Sequence, residues 1–127
     1  LAHLRKLAPR AGGEVIEHVA DCWARPVADG GWRLKMDPRH KHYNPIIYRR
    51  EEAAACWRAT VAPVLLVAGA ASDFRSRFRG LDPLADAARH YHDPRVETIA
   101  DAGHMMHWEQ PAAFAALVRA AAARTNA

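Results

Sequence analysis

Serine and cysteine are scarce in this chain, two of each in 127 residues, and no apolar run is long. Each scarcity excludes something. The strongest apolar stretch is centred on Leu65 and ends at Gly69 and Asp73. That is far short of the ~20 residues needed to cross a bilayer, so no membrane partner is expected. No basic-then-apolar segment with a small-residue cleavage site opens the chain, so no signal peptide is read. Cys22 and Cys56 fit no metal spacing, and helix-like sequence surrounds each. They are expected to be buried thiols in a reducing, cytoplasmic compartment, with a disulfide between them left open. The arginines are scattered and do not alternate with aromatics. The net charge of +4 therefore reflects an Ala/Arg-rich composition, and no nucleic-acid partner is expected.

What is present is a globular balance, half hydrophobic and a quarter charged, of a length that suits one domain. The first residue is Leu1 rather than Met. Initiator Met is normally trimmed only before small residues, so Leu1 is not expected to be a native start.

Leu1 to Leu7 reads as a helix end stopped by Pro9. Val15, Ile16, Val19, Ala20 and Trp23 recur at helical spacing, predicting a helix over 14–23 that Pro26 ends. Asp29-Gly30-Gly31 is a turn, and Trp32 to Asp37 alternates as a short extended segment. Residues 38–48 read as loop. A helix over 49–60 follows, with Glu51 and Glu52 in its first turn and Ala55, Cys56 and Ala59 on one face, with Trp57 near it. A continuous apolar run, Val64 to Ala68, predicts a parallel strand buried on both faces. A helix over 83–91, a second strand to Ala100 and a last helix opened by Pro111 complete the chain. Phe114, Leu117, Val118 and Ala121 form the stripe of that last helix. Strand–helix–strand–helix order predicts an α/β fold.

The organising stretch runs from Val61 to Trp108. Each apolar run stops near a glycine and then delivers one polar side chain, Asp73 in the first and His104 in the second. In parallel sheets functional groups gather beyond the carboxyl ends of strands, and a right-handed crossover favours neighbouring strands, so the two loops can meet. A carboxylate that accepts the Nδ1–H of a histidine fixes its tautomer. It also stabilises the imidazolium formed when Nε2 takes a proton from a nucleophile.

The region from Tyr48 to Ala121 resembles the C-terminal part of α/β-hydrolase-fold proteins. Their acid segment commonly reads Pro-Val-Leu-Leu-Val-x-Gly-x-x-Ser-Asp, matched from Pro63 to Asp73. Their histidine segment commonly reads Gly-His-x-x-x-x-Glu-x-Pro, matched by Gly103, His104, Glu109 and Pro111. The resemblance implies the chain order nucleophile, acid, histidine, with Asp73 as the acid and His104 as the catalytic base. It implies no cofactor and a small ester-like substrate. Trp32 to Pro38 resembles the cap-to-core connection of some subfamilies. The departure is the nucleophile: neither Ser72 nor Ser76 lies in a Gly-x-Ser-x-Gly elbow, and no upstream strand, elbow and helix precede the match. The expectation is therefore the last part of such a fold. Residues 1–48 would be a cap remnant and connection. Residues 49–127 would carry two parallel core strands, about 63–69 and 95–100, with flanking helices. Such a chain would be inactive alone, and its partner would be the missing N-terminal half.

Competing readings remain beside these. His104 could be an ordinary loop histidine and Asp73 a turn residue. Asp101 competes for the acid role, although its place before Gly103 suits a turn. His107 lacks a preceding glycine and is expected to pack beside Trp108. Met105, Met106 and Trp108 could line a substrate pocket or be core. The pairs His40/His42 and His90/His92 are read as surface rather than metal ligands, and Arg75, Arg77 and Arg79 as a solvated face. The alternative function is a non-catalytic α/β module completed by another chain, because two strands do not make a stable sheet alone.

Overall fold

A computed structural model of the protein describes residues 1–73 and 81–125. Arg75, Arg77 and Arg79 lie outside the described residues, as does Ser76.

Two helices open the chain. Helix α1 (Ala2–Leu7) stops before Pro9, and α2 (Gly13–Trp23) turns Ile16 and Val19 inward. These two are three residues apart and so share a helix face. A hairpin follows, in which β1 (Ala24–Pro26) pairs antiparallel with β2 (Trp32–Leu34). Gly30 takes φ 81° in its turn, a conformation glycine adopts without steric cost. Only the second of these strands was legible. Three residues ending in Pro26 are too few to show alternation. A 3-10 turn at Pro38–Lys41 stands where a loop was expected, nucleated by Asp37, whose Oδ1 accepts the Arg39 N–H at 2.9 Å.

Helix α3 (Arg50–Arg58) buries a different face from the expected one. Ala54 is buried, whereas Ala55, Cys56 and Ala59 are exposed. The inward stripe is Arg50, Ala54 and Trp57, spaced i, i+4, i+7. Trp57 sets it: the ring stacks on Tyr91 at 6.0 Å and carries the Arg50 guanidinium 4.6 Å above its centroid. His90 is not simply a surface residue either. It is half-buried, with Nε2 3.2 Å from Arg50 and Nδ1 3.2 Å from Arg58.

Strand β3 (Val64–Gly69) pairs in parallel with β4 (Pro94–Ile99), in register from Val64 opposite Pro94 to Gly69 opposite Ile99. Helix α4 (Pro83–Ala88) joins them, and its N-cap is Asp82, which accepts the N–H groups of Leu84 at 2.9 Å and Ala85 at 3.2 Å. The short helix α5 (Met106–Glu109) and the long helix α6 (Pro111–Thr125) complete the chain.

The expectation that β3 is buried on both faces does not hold, because Val64 to Ala68 are all half-buried. Among the described residues its sheet has two strands, and a cavity of about 390 Å³ is lined by Val64 and Leu65 and by Phe114 and Val118 of α6. The main hydrophobic cluster lies elsewhere. Leu4, Ala8, Ile16, Val19 and Trp108 pack together, so the opening helices cover α5. The thiols are also not buried: Cys22 and Cys56 are both free and exposed. Cys22 lies outside the Ile16–Val19 stripe with Sγ 3.7 Å from Nε2 of His18, and Cys56 lies off the Trp57 stripe. Among the described residues no helix is long and apolar enough to cross a membrane.

Candidate active site

The two loops that leave the carboxyl ends of β3 and β4 are stitched together by backbone. The Ala70 N–H donates to the carbonyl of Ile99 and the Ala71 N–H to the carbonyl of Ala102, both at 2.9 Å. Ser72 N–H then turns back to the Gly69 carbonyl at 3.1 Å. Asp73 follows directly and is exposed.

Glycine is required at the crossing. A Cβ on Gly69 would stand 2.7 Å from the carbonyl carbon of Ala102 and closer still to the carbonyl oxygens of Ala102 and Gly103. No side chain fits under that loop.

The histidine loop is held from the other side by Glu109. Its carboxylate is fully buried. Oε2 accepts the N–H of Gly103 in a short bond, and Oε1 accepts the N–H of Arg10 at 3.2 Å. The Arg10 guanidinium lies 3.8 Å away. Burying a carboxylate is costly unless its lone pairs are satisfied; here two backbone donors and a cation do so. The loop carrying His104 is thereby tied both to α5 and to the segment after α1. Arg10 was not legible as part of this device. Its backbone N–H and its guanidinium reach Glu109 from 99 residues away, and no local pattern announces that.

His104 is exposed at the mouth of a cavity of about 220 Å³, which it lines with Gly69, Ser72, Leu84 and Met106. Ser72 also lines this cavity, although in sequence it belongs only to the acid loop and no local pattern brings it beside His104. Met105 packs against the main hydrophobic cluster. Trp108 is a member of that cluster, edge-on to Trp23 at 5.4 Å. Of the three pocket candidates, Met106 is the one beside His104. His107 stands edge-on to Trp108 at 5.4 Å, as expected. Asp101 takes φ 51° and is exposed, the left-handed turn geometry that Asp tolerates better than most residues. Among the described residues no group of three or more His, Cys, Asp or Glu side chains is placed to hold a metal ion.

Two solved structures have similar architecture. An E-2-(acetamidomethylene)succinate hydrolase aligns with a TM-score of 0.67 at 22% identity, over 92% of this chain and 41% of that one. A thioesterase domain from a curacin biosynthetic pathway aligns with a TM-score of 0.71 at 21% identity, over 94% of this chain and 41% of that one. The chain has a partial α/β-hydrolase fold. At 41% of the length of either solved structure, it spans less than half of what it resembles. No protein-family model matches the sequence, and no curated protein matches it. Within this α/β-hydrolase fold, β3 and β4 are adjacent parallel strands, and their carboxyl-end loops carry Asp73 and His104.

Proposed function

We propose that this chain supplies the acid and the histidine of a nucleophile–His–acid hydrolase that cleaves a small ester or a related bond. His104 is the general base and then the general acid, and Asp73 orients it. Met106, beside His104, contributes to the substrate wall; Met105 and Trp108 act from behind it through packing. The nucleophile is supplied by an elbow segment that this sequence does not contain. The observation that carries the reading is the pair of hydrogen bonds stitching the Asp73 loop to the His104 loop at the carboxyl ends of adjacent parallel strands. The two free, exposed thiols suit a reducing compartment, and the cytoplasm is proposed on that ground.

Mixing the purified chain with an activated aryl ester tests it. No stoichiometric burst of phenolate is expected. A burst abolished by His104→Ala would mean that the chain carries its own nucleophile. Ser72→Ala would then identify it, since Ser72 shares the His104 cavity.

The half-buried state of Val64 to Ala68 favours a second reading, an α/β module completed by another polypeptide along the edge of β3 that is unpaired among the described residues. Sizing of the purified chain tests it: a cooperatively unfolding monomer contradicts that reading.

A further inference from the structure

We infer that the groove beside the β1–β2 hairpin is a binding site for a small organic anion carrying two negative charges and an apolar body. The groove has a volume of about 670 Å³, within the ~300–1,000 Å³ typical of small-molecule sites. Arg25, Arg33, Lys35 and Lys41 all line it. Among the described residues none of the four is ion-paired with a carboxylate. The one acid in the wall, Asp37, does not neutralise them. It is engaged by Arg39, with Nη2 2.6 Å from Oδ2.

The hairpin register adds an independent reason. Arg25 and Arg33 are direct cross-strand partners. Like charges directly opposite each other destabilise an antiparallel pair, and this hairpin has only three paired positions with which to offset that. An anion held between the two guanidiniums converts the repulsion into two charge-assisted hydrogen bonds, a geometry that suits a planar carboxylate or a phosphate. Lys35 is already steadied, its Nζ donating to the Asp21 carbonyl at 2.5 Å. Trp32 and Met36 line the same groove and are 66% and 41% exposed. They offer an apolar surface to the body of the ligand.

The test titrates the ¹⁵N-labelled full chain with phenyl phosphate, phthalate and inorganic phosphate, with benzyl alcohol as the neutral control. Saturable shifts are expected at the Trp32 indole N–H and at the Arg25 and Arg33 amides. Phenyl phosphate binding tighter than phthalate marks a phosphate ester as the ligand, and the reverse order marks a dicarboxylate. Arg33→Gln should weaken either by about tenfold, the loss of one charged hydrogen bond. Trp32→Ala should weaken phenyl phosphate roughly fivefold and leave inorganic phosphate unchanged. Arg33→Gln should also unfold at the same temperature as the parent or higher, because it relieves the cross-strand repulsion. Equal binding by Arg33→Gln, shifts spread over Arg39 and Arg49 as well, or binding of benzyl alcohol at the same affinity would overturn the proposal. Binding of an acidic peptide with none of the small anions would overturn it too.

Discussion

The N–H of Gly103 donates to the buried carboxylate of Glu109, and the same carboxylate accepts the N–H of Arg10. One side chain thus fixes the turn that presents His104 and anchors it to the opening helices. Glu109→Ala leaves the buried Gly103 N–H and the part-buried Arg10 N–H without that acceptor. The expected loss is about 2–4 kcal/mol in urea denaturation. Glu109→Gln keeps one acceptor oxygen but turns an NH₂ toward a donor, so an intermediate loss of roughly 1–2 kcal/mol is expected. Hydrogen exchange at the Gly103 amide should accelerate in both variants. Unchanged exchange would show that another group holds the loop.

The close crossing of β3 beneath the histidine loop predicts a large effect from a single methyl. At Gly69 the atoms that an added Cβ meets are backbone carbonyls, which cannot rotate away as a side chain does. Gly69→Ala should cost about 3 kcal/mol, at the upper end of overpacking. Gly13→Ala is the control. A Cβ there meets nothing within 4 Å, and the change removes backbone freedom from the unfolded chain, so a gain of roughly 0.5 kcal/mol is expected. Equal melting temperatures for the two variants would contradict the crossing.

The two motifs were legible because their physics is local. An apolar run that ends in glycine and aspartate marks a buried strand end wherever it occurs, and β3 and β4 lie within one residue of the expected spans. What escaped was set by partners distant in sequence. The inward face of α3 follows Trp57 because Tyr91 stacks on it, and nothing in the helix itself distinguishes that face from Ala55, Cys56 and Ala59. The main cluster forms where Ile16 and Val19 meet Trp108, a contact no periodicity reports. The strand run read as buried on both faces because such composition belongs to a complete parallel sheet. With two strands among the described residues, the same side chains are only half covered.

Asp86 gives the fold an acid-sensitive contact. Its carboxylate is held below the ordinary carboxylate range, first by the hydrogen bond from Arg50 and, against the opposing effect of burial, by the charge of Arg50 and by Arg89. A carboxylate depressed in the folded state contributes stability above its unfolded value. That contribution is lost as pH falls through the folded value. The stability difference between the parent and Arg50→Gln should therefore be constant near neutrality and shrink as pH drops below about 4. A residual gap independent of pH is expected, because Arg50 also stacks on Trp57. Urea midpoints across an acid series measure both parts. A gap that does not narrow in acid would remove the Arg50–Asp86 pair from the account.

On the proposed acid–histidine reading, the choice between Asp73 and Asp101 as the acid turns on what each backbone position does. Asp101 sits at φ 51°, and its carbonyl faces the Gln110 Nε2 at 3.5 Å. Those features give it a turn role. Glycine adopts that φ freely, so Asp101→Gly should retain the stability of the parent within about 0.5 kcal/mol. Asp73 directly follows the Ala70–Ser72 turn, which is stitched to the His104 loop. A carboxylate that receives the Nδ1–H of His104 shields that proton from exchange and moves its resonance far downfield. Asp73→Ala should abolish such a signal in the ¹H spectrum, and Asp101→Asn should leave it in place. If Asp101→Asn removes the signal while Asp73→Ala retains it, the acid role passes to Asp101. The turn before Gly103 would then be part of the catalytic device rather than its support.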